Sequence, residues 1–266
     1  MEKTLLVVKH VGQEGPGMLV KPFEDAGWSV LTVELGRGEP LPDDLANIGA
    51  VVVLGGPMNV YEEEAYPFLR EEDRFIRQVL SEEIPFLGIC LGVQLLAKAC
   101  NAPVTKAGQK EVGWYDVNLT SAAHQDRLFR KVASPLTVFQ WHEDTFGIPE
   151  GGTLLCVSDG VPNQAFRIGN CAYGLQFHLE APLAMIGAWM KDEERERAEA
   201  ILRQGRGLEA AVGQQAAVIF SNFRRLAESV ARVKRIMKTF VEKEQPCRRA
   251  LWWDQEGHLL VRNEAV

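Results

Sequence analysis

Short apolar runs alternate with helical patterns over the first 90 residues. Four runs are rich in β-branched side chains and suit strands buried on both faces of a sheet, namely residues 4–9, 29–34, 50–54 and 84–89. Between them, residues 19–26 suit a short helix, and residues 66–82 repeat apolar positions at helical spacing. This alternation predicts an α/β fold with a doubly wound, mostly parallel sheet, in which ligands bind beyond the carboxyl ends of the strands.

The pattern changes after residue 110. Strand-like pieces separated by polar turns predict a mixed sheet, with strands at residues 114–119, 136–140, 153–158, 165–168 and 172–176. Residues 181–190 suit a helix, and a charged run then leads into a long helical stretch from residue 208 to about residue 241. We therefore predict a domain of residues 1–192 and a helical C-terminal extension of residues 193–266, which packs on the domain or on a partner subunit. The adjacent Trp252 and Trp253 in the tail suggest an interface.

Composition excludes several classes of function. The chain has 266 residues, of which 46% are hydrophobic, so it can bury a sizeable core. Its net charge of −7 argues against a nucleic-acid partner, because phosphate binding needs clustered surplus Lys and Arg. The first apolar run soon meets Lys9 and His10, which favours a buried strand over a signal peptide or a membrane span. We expect a cytoplasmic protein without a membrane partner.

The five cysteines do not predict a disulfide framework, because their number is odd and their spacing is wide. No Cys-x-x-Cys or His-x-x-x-His unit occurs in the sequence, so a zinc site is not expected either. We predict no metal and no organic cofactor.

Cys90 has neighbours that single it out from the other cysteines. The segment PFLGICLGVQLLAKA runs from a buried strand through a sharp turn into a helix, and it holds the pattern Gly-x-Cys-x-Gly. This pattern is the thiol counterpart of the nucleophile elbow, in which small flanking residues leave room for a strained turn. A cysteine at a helix N-terminus also meets the positive end of the helix dipole, which stabilises a thiolate. Cys90 is therefore the candidate nucleophile.

A cysteine nucleophile needs a base, and the segment YGLQFHLEAP places His178 two residues before Glu180 at the end of an apolar strand. The imidazole would hold the thiol proton and later protonate the leaving group, while the carboxylate fixes its tautomer. We predict a catalytic triad of Cys90, His178 and Glu180. His10 and His124 lack a cysteine or carboxylate partner of matching context and are expected to be surface or satisfied histidines.

Residues 1 to about 190 resemble the class I glutamine amidotransferase domain. The resemblance is carried by segments that follow the family's order, LGGPMNVYE, GICLGVQLLA, KEVGW, FQWHEDTFGIP and QFHLE. It implies a flavodoxin-like fold and glutaminase activity. The sequence departs from the family at Leu179, where the family usually has proline between the triad histidine and glutamate. Because proline fixes φ and stiffens a turn, we expect a less rigid Glu180 and an activity that is lower or depends on a partner.

The resemblance also implies roles for residues around the nucleophile. The backbone N–H groups of Gly56 and Leu91 would form the oxyanion hole, and a glycine can bring its backbone close to a ligand. The residues implied in substrate binding are Pro57, Gln94, Trp141, His142, Glu143 and Asp144. His142 lies in the segment that resembles the substrate-gripping loop, so we do not assign it to the triad.

Three functions are compatible with these residues. In the first, Cys90 forms a γ-glutamyl thioester with glutamine and releases ammonia and glutamate. The second is a γ-glutamyl peptidase or hydrolase that uses the same triad, and the third is a catalytically idle binding module of the same fold. The sequence contains no phosphate-binding Gly-x-x-x-x-Gly-Lys-Ser/Thr loop, so ammonia would pass to an acceptor on a separate synthetase subunit. The expected partners are glutamine or a γ-glutamyl substrate, that synthetase, and a second copy of the chain in a homodimer.

Overall fold

The computed structural model describes residues 3–243, 249–253 and 259–263, with side chains as far as Met237. The chain divides into two compact units, Met1–Glu228 and Ser229–Val266. The first unit contains one nine-stranded sheet, and the second contains a two-stranded sheet. Among the described residues, no helix is both long enough and apolar enough to cross a bilayer.

The strands of the large sheet are β1 Thr4–Lys9, β2 Ser29–Glu34, β3 Ile48–Val53, β4 Phe86–Ile89, β5 Val104–Leu119, β6 Leu136–Phe146, β7 Thr153–Val157, β8 Ala165–Ile168 and β9 Ala172–Leu175. The α-helices are α1 Lys21–Glu24, α2 Phe68–Ser81, α3 Leu91–Ala99, α4 Leu183–Trp189 and α5 Arg195–Lys243. Short 3₁₀ turns cover Gly17–Leu19, Leu35–Arg37, Ala123–Gln125 and Met190–Asp192.

The strand order in the large sheet is β2-β1-β3-β4-β9-β8-β7-β5-β6. The first five strands of this order pair in parallel, and the remaining pairings are antiparallel. The chain moves from β1 to β2 in one direction and from β3 to β4 in the other, so right-handed crossovers put helices on both faces. The predicted doubly wound α/β fold is confirmed, and the carboxyl ends of β1, β3, β4 and β9 meet at one edge.

Alternate residues of the parallel strands face a common core. Leu6 and Val8 of β1 and Val51 and Val53 of β3 are buried in one cluster with the apolar faces of α2 and α3. Because side chains alternate along a strand, Leu5 and Val7 face the other side of the sheet, where they are also fully buried. Burial on both faces explains why these strands are continuously apolar.

Two antiparallel strands are longer than the sequence predicts. β5 begins at Val104 instead of residue 114, and β6 continues beyond residue 140 to Phe146. The added segment of β5, TKAGQKE, is polar and mostly exposed, so it carries no apolar alternation. It becomes a strand because its backbone pairs with β6, across a register shift between Lys106 and Glu111.

The helix predicted at residues 19–26 is shorter than expected. The structure has a 3₁₀ turn at Gly17–Leu19 and a single α-helical turn at Lys21–Glu24. Pro22 at the start of this turn lacks an N–H group, which suits the first turn of a helix but limits how far the helix can extend backwards.

Helix α5 begins at Arg195, earlier than the predicted residue 208. Glycines just before residue 208 interrupt the helical pattern in the sequence, so the start of the helix was predicted too late. Gly205 nevertheless lies inside the helix, at a position with no room for a side chain. A Cβ atom on Gly205 would lie 2.5 Å from Leu183 Cδ1 and 2.9 Å from Trp114 Cζ2. Further along, Asn222 Nδ2 donates hydrogen bonds to backbone carbonyls of the segment that precedes β6. The predicted domain boundary after residue 192 stays a prediction.

The tail is not helical throughout. Strands β10 Arg249–Trp253 and β11 Leu259–Asn263 pair antiparallel. Their backbone hydrogen bonds link residues that are distant along the chain, which helical periodicity could not reveal. The interface predicted at Trp252 and Trp253 concerns side chains that lie outside the described part of the chain.

Candidate active site

Cys90 lies at the turn between β4 and α3, with φ 52° and ψ −105°. This backbone conformation is strained for a residue with a side chain, and such strain is typical of nucleophile elbows. The Cys90 N–H donates to the carbonyl of Leu175 on β9 at 2.8 Å, which ties the turn to the neighbouring strand. Cys90 is 7% exposed, and its Sγ lies 3.6 Å from the carbonyl oxygen of Trp141.

The glycines on both sides of Cys90 are required by close packing. A Cβ atom on Gly88 would lie 2.3 Å from the carbonyl oxygen of Gly92. A Cβ atom on Gly92 would lie 2.2 Å from the carbonyl oxygen of Val53 on β3. Both distances are too short for any side chain, so the expected steric reason for the Gly-x-Cys-x-Gly pattern is present in the fold.

His178 and Glu180 follow β9 and reach the same edge of the sheet. The backbone of His178 exchanges two hydrogen bonds with Phe139 of β6, at 2.8 and 3.3 Å. The ring Nδ1 lies 2.6 Å from Glu180 Oε1, and both side chains are buried. This contact puts the Nδ1 proton toward the carboxylate and leaves Nε2 for the thiol.

The pKa of His178 is raised well above its usual value. Burial by itself lowers this pKa, but the charge of Glu180 and the side-chain hydrogen bonds to Cys90 and Glu180 outweigh the burial. A protonated imidazole can supply a proton to a leaving group.

Leu179 contributes through its backbone. Its N–H donates to Glu180 Oε2 at 3.0 Å, so both oxygens of the carboxylate have a hydrogen-bond partner. Proline at this position could not make that bond, because it has no N–H. The turn therefore loses the stiffness of proline and gains a donor that orients Glu180.

Two backbone N–H groups beside Cys90 remain free for a ligand. Among the backbone hydrogen bonds of the described residues, none uses the N–H of Gly56 or that of Leu91 as donor. Leu91 begins α3, and its N–H is therefore one of the unpaired donors of a helix N-terminus. A Cβ atom on Gly56 would lie 2.9 Å from Leu91 Cδ2, which brings the two residues into contact.

A cavity opens over the thiol. Of the residues predicted from the sequence, it is lined by Gly56, Pro57, Cys90, Trp141 and His178. It is also lined by residues that the sequence analysis missed, Gln13, Glu14 and Trp189. The cavity is thus lined by a thiol, an imidazole and a glycine with a free N–H, and the free N–H of Leu91 follows the thiol in the chain. Acyl transfer from an amide requires groups of these kinds.

Comparison with known proteins agrees with this geometry. The sequence model of the class-I glutamine amidotransferase family matches residues 19–191. The chain belongs to this family. The glutamine amidotransferase-like protein YfeJ of Salmonella typhimurium is 34% identical over 196 residues, which cover 73% of this chain and 82% of YfeJ.

Two further proteins resemble this chain over different shares of their own length. A glutamine-hydrolysing GMP synthase of Porphyromonas gingivalis is 34% identical over 53% of this chain, and the match spans 26% of that protein. A crystal structure of a glutamine amidotransferase from Thermotoga maritima superposes with a TM-score of 0.78 at 36% identity, and the match covers 86% of this chain and 99% of that one.

Glu14 lines one side of the cavity. A Cβ atom on Gly55 would lie 2.6 Å from Glu14 Oε2 and 3.2 Å from His178 Cε1, so the carboxylate is close to the imidazole. Burial raises the pKa of Glu14, and the charges of His178 and His10 oppose the rise. The sequence signal for this residue was its position just beyond the carboxyl end of β1, where ligands bind in such sheets.

Trp189 closes another side of the cavity. Its Nε1 donates to the carbonyl of Gln13 at 3.1 Å, and its ring packs edge-on against His178 with centroids 5.0 Å apart. The indole therefore links the end of α4 to the loop after β1 and holds the imidazole in place.

Four of the predicted substrate-binding residues are not among those that line the cavity. Gln94 is buried, and its Nε2 donates to Gln176 Oε1 at 3.2 Å and to the carbonyl of Asp144 at 3.3 Å. Glu143 is exposed and lies 2.7 Å from Lys110, and Asp144 Oδ1 lies 3.0 Å from Lys106. The binding roles of these residues stay predictions.

The structure agrees in part with the expectations for His142 and His10. His142 is buried, and its two ring nitrogens contact Glu111 Oε2 at 3.0 Å and the carbonyl of Asp144 at 2.9 Å. His10 is fully buried and contacts Glu72, so the expectation that it lacks a carboxylate partner was wrong. The partner comes from α2, 62 residues away along the chain, and could not be recognised by proximity in sequence.

The other cysteines among the described residues do not line the cavity. Cys90, Cys100, Cys156 and Cys171 are all free thiols. Burial raises the pKa of Cys100 and raises that of Cys156 well above its usual value, which makes both poor nucleophiles. Within the described ranges, no group of three His, Cys, Asp or Glu side chains is arranged to hold a metal ion.

Proposed function

We propose that this chain hydrolyses the side-chain amide of glutamine through a γ-glutamyl thioester on Cys90. The observation that carries the proposal is that the strained Cys90, His178 and Gly56 with its unpaired N–H line one cavity. Glu180 contacts His178, and Leu91 adds a second unpaired N–H next to Cys90. Membership of the class I glutamine amidotransferase family supports the substrate class.

In the first half of the reaction, the Cys90 thiolate attacks the side-chain carbonyl carbon of glutamine. The negative charge that develops on the carbonyl oxygen is stabilised by the N–H groups of Gly56 and Leu91. His178 then gives its Nε2 proton to the amide nitrogen, the carbon–nitrogen bond breaks, and ammonia leaves. The product is a thioester between Cys90 and the γ-carboxyl group.

In the second half, water attacks the thioester carbonyl while neutral His178 takes one of its protons. The tetrahedral intermediate collapses, the carbon–sulfur bond breaks, and glutamate leaves. Cys90 is again a thiolate and His178 is again protonated, so the starting charges are restored. Glu180 orients the imidazole and stabilises its positive charge in both halves.

Ammonia would be used by a separate protein in this proposal. A relative from Sulfurisphaera tokodaii, whose name describes one subunit of a glutamine-hydrolysing GMP synthase, is 29% identical over 66% of this chain and 88% of its own length. That name supports a separate synthetase as the acceptor of ammonia. The acceptor, like the assembly of this chain into a homodimer, belongs to the proposal.

A second candidate is the hydrolysis of γ-glutamyl conjugates. Glu14 favours it, because an acidic group beside His178 lies where a leaving amine would take its proton. The same triad and the same thioester would serve, and only the leaving group would be larger than ammonia.

The deciding experiment measures ammonia and glutamate release from L-glutamine by the purified chain and by Cys90→Ala. We expect release by the natural chain and a loss of more than about 10⁴-fold in the variant, because the covalent route is removed. Amine release from γ-glutamyl peptides without ammonia release from glutamine would establish the second candidate. Inactivity on both substrates would leave an idle binding module or an enzyme that needs its synthetase.

Cys100→Ala is the matched control. Cys100 is the C-cap of α3, the helix whose N-cap is Cys90, and it is not among the residues that line the cavity. We expect this variant to retain the natural rate. Alkylation with iodoacetamide followed by peptide mass mapping should label Cys90 first, and preferential labelling of Cys100 would contradict the assignment of the nucleophile.

A further inference from the structure

A buried histidine that the proposed mechanism does not use lies directly beneath the cavity. His10 immediately follows β1 and has no exposed surface. Its Nδ1 lies 2.7 Å from the carbonyl oxygen of Gly55, and its Nε2 lies 3.1 Å from both carboxylate oxygens of Glu72 on α2. Glu72 is also fully buried.

The partners of His10 determine where its protons lie. A carbonyl oxygen can only accept, so Nδ1 must carry a hydrogen and donate it to Gly55. The other ring nitrogen, Nε2, lies against the carboxyl group of Glu72. Burial lowers the pKa of His10, but the charge and hydrogen bond of Glu72, the Gly55 carbonyl and the charge of Glu14 outweigh the burial and raise it.

The peptide between Gly55 and Gly56 joins this histidine to the cavity. In a planar trans peptide, the C=O and N–H groups point in opposite directions. The Gly55 carbonyl points down to His10, so the N–H of Gly56 points away from His10. Gly56 lines the cavity, and its N–H donates no hydrogen bond among the backbone contacts of the described residues.

Contact with His10 also restrains the conformation of the Gly55–Gly56 peptide. Both residues are glycines, whose backbones have more conformational freedom than those of other residues. A Cβ atom on Gly56 would lie 3.1 Å from His10 Cβ, so the histidine also supports the peptide from below. A hydrogen bond from a charged donor is stronger than one from a neutral donor, so a protonated His10 would hold the peptide plane more firmly.

We propose that His10, held by Glu72, is a positioning residue that fixes the Gly55–Gly56 peptide so that the Gly56 N–H points at the developing oxyanion. His10 touches no substrate in this arrangement. The hydrogen bond also polarises the peptide and makes its N–H a better donor. This inference rests on the proposed function, because the oxyanion arises only during hydrolysis of the amide.

The test compares two double variants that differ only at residue 10. Removing His10 alone would leave Glu72 buried without a partner and could prevent folding. Glu72→Met is therefore present in both, combined with His10→Leu in one and with His10→Asn in the other. Asparagine can place an N–H donor where Nδ1 lies, whereas leucine has a similar size and no donor.

Steady-state kinetics with glutamine give the first measurement. We expect the leucine variant to lose about 10²- to 10³-fold in kcat, the effect of one lost oxyanion donor, with KM within about twofold of the natural chain. The asparagine variant should recover at least about tenfold of that loss. Alkylation of Cys90 by iodoacetamide forms no oxyanion, so its rate should stay within about twofold in both variants.

Crystal structures of the two variants give a second measurement that needs no activity. We expect the Gly55 carbonyl to keep its direction with asparagine and to turn away with leucine. An unchanged peptide in the leucine variant, an unchanged kcat, or an equal loss of kcat and alkylation would overturn the inference. If the natural chain by itself hydrolyses neither glutamine nor γ-glutamyl peptides, that result counts against the proposed function alone, and the direction of the Gly55 carbonyl in the two variants decides the role of His10.

Discussion

Glu180 controls the charge of His178 at the scale of single residues. The carboxylate contacts the imidazole at 2.6 Å through one oxygen and the N–H of Leu179 at 3.0 Å through the other. Because the pair is buried, the charge of Glu180 acts with little screening by water. Glu180 and the hydrogen bond to Cys90 together outweigh the burial, which by itself would lower the pKa of His178.

Replacing Glu180 with glutamine should change the pH dependence of hydrolysis. The charge of Glu180 raises the pKa of His178 and so keeps the imidazole protonated to higher pH. Glutamine carries no charge, so the pKa of His178 should be lower in the variant. The basic limb of the profile of kcat/KM against pH should move to lower pH, and kcat should fall by about 10²- to 10⁴-fold. Glu228→Gln, which alters an ion pair with Lys3 outside the site, is the control and should keep the natural profile. A basic limb at the same pH in Glu180→Gln would show that another group sets the charge of His178.

At the scale of elements, the site depends on how closely β4, α3 and β3 approach one another. Gly92, in the first turn of α3, lies against the carbonyl of Val53 at the end of β3. This contact lets the N-terminus of α3 reach the edge where Cys90, Gly56 and His178 meet. Gly213 of α5 differs from Gly92, since a Cβ atom on Gly213 would have no atom within 4 Å.

The two glycines should respond to alanine in opposite directions. Gly92→Ala should lower the free energy of unfolding by about 2–3 kcal/mol, because the new methyl group forces α3 away from β3. Gly213→Ala should raise it by about 0.5–1 kcal/mol, because alanine has a higher helix propensity than glycine and the new methyl group meets no other atom. Urea denaturation measures both. A Gly92→Ala chain as stable as the natural one would contradict the close approach of α3 and β3.

At the scale of the whole molecule, the first part of α5 is built into the core. Phe220 and Phe223 of α5 are fully buried, and the ring of Phe223 lies 6.0 Å from that of Phe23 in α1. Asn222 donates to the carbonyls of Leu128 and Arg130 at 2.9 and 2.8 Å. The compact unit accordingly ends at Glu228.

Truncation distinguishes the unit that ends at Glu228 from the predicted domain that ends at residue 192. A chain ending at Glu228 should keep its melting temperature within a few degrees and retain its hydrolytic rate. A chain ending at Asp192 should be much less stable, because each large apolar side chain removed with α5 contributes about 1.5–3 kcal/mol on burial. Thermal denaturation and glutamine hydrolysis test this contrast. Equal stability of the two chains would support a boundary at residue 192.

The sequence alone was sufficient for the fold class and for the choice of Cys90, His178 and Glu180 as candidates. Buried parallel strands are continuously apolar, and the elbow needs glycines at fixed spacing, so both are visible in local patterns. It also predicted that Gly56 and Leu91 would lie beside Cys90, through the family resemblance.

Only the tertiary structure decided which distant residues complete the site. Glu14, Trp189 and the pair of His10 and Glu72 lie in different elements and share no motif, so nothing in their order along the chain predicts their contacts. The length of β5 likewise depended on pairing with β6, and the start of α5 on the packing of Gly205 against Trp114. Local patterns record local preferences, whereas hydrogen bonds and close packing between distant segments exist only in the folded chain.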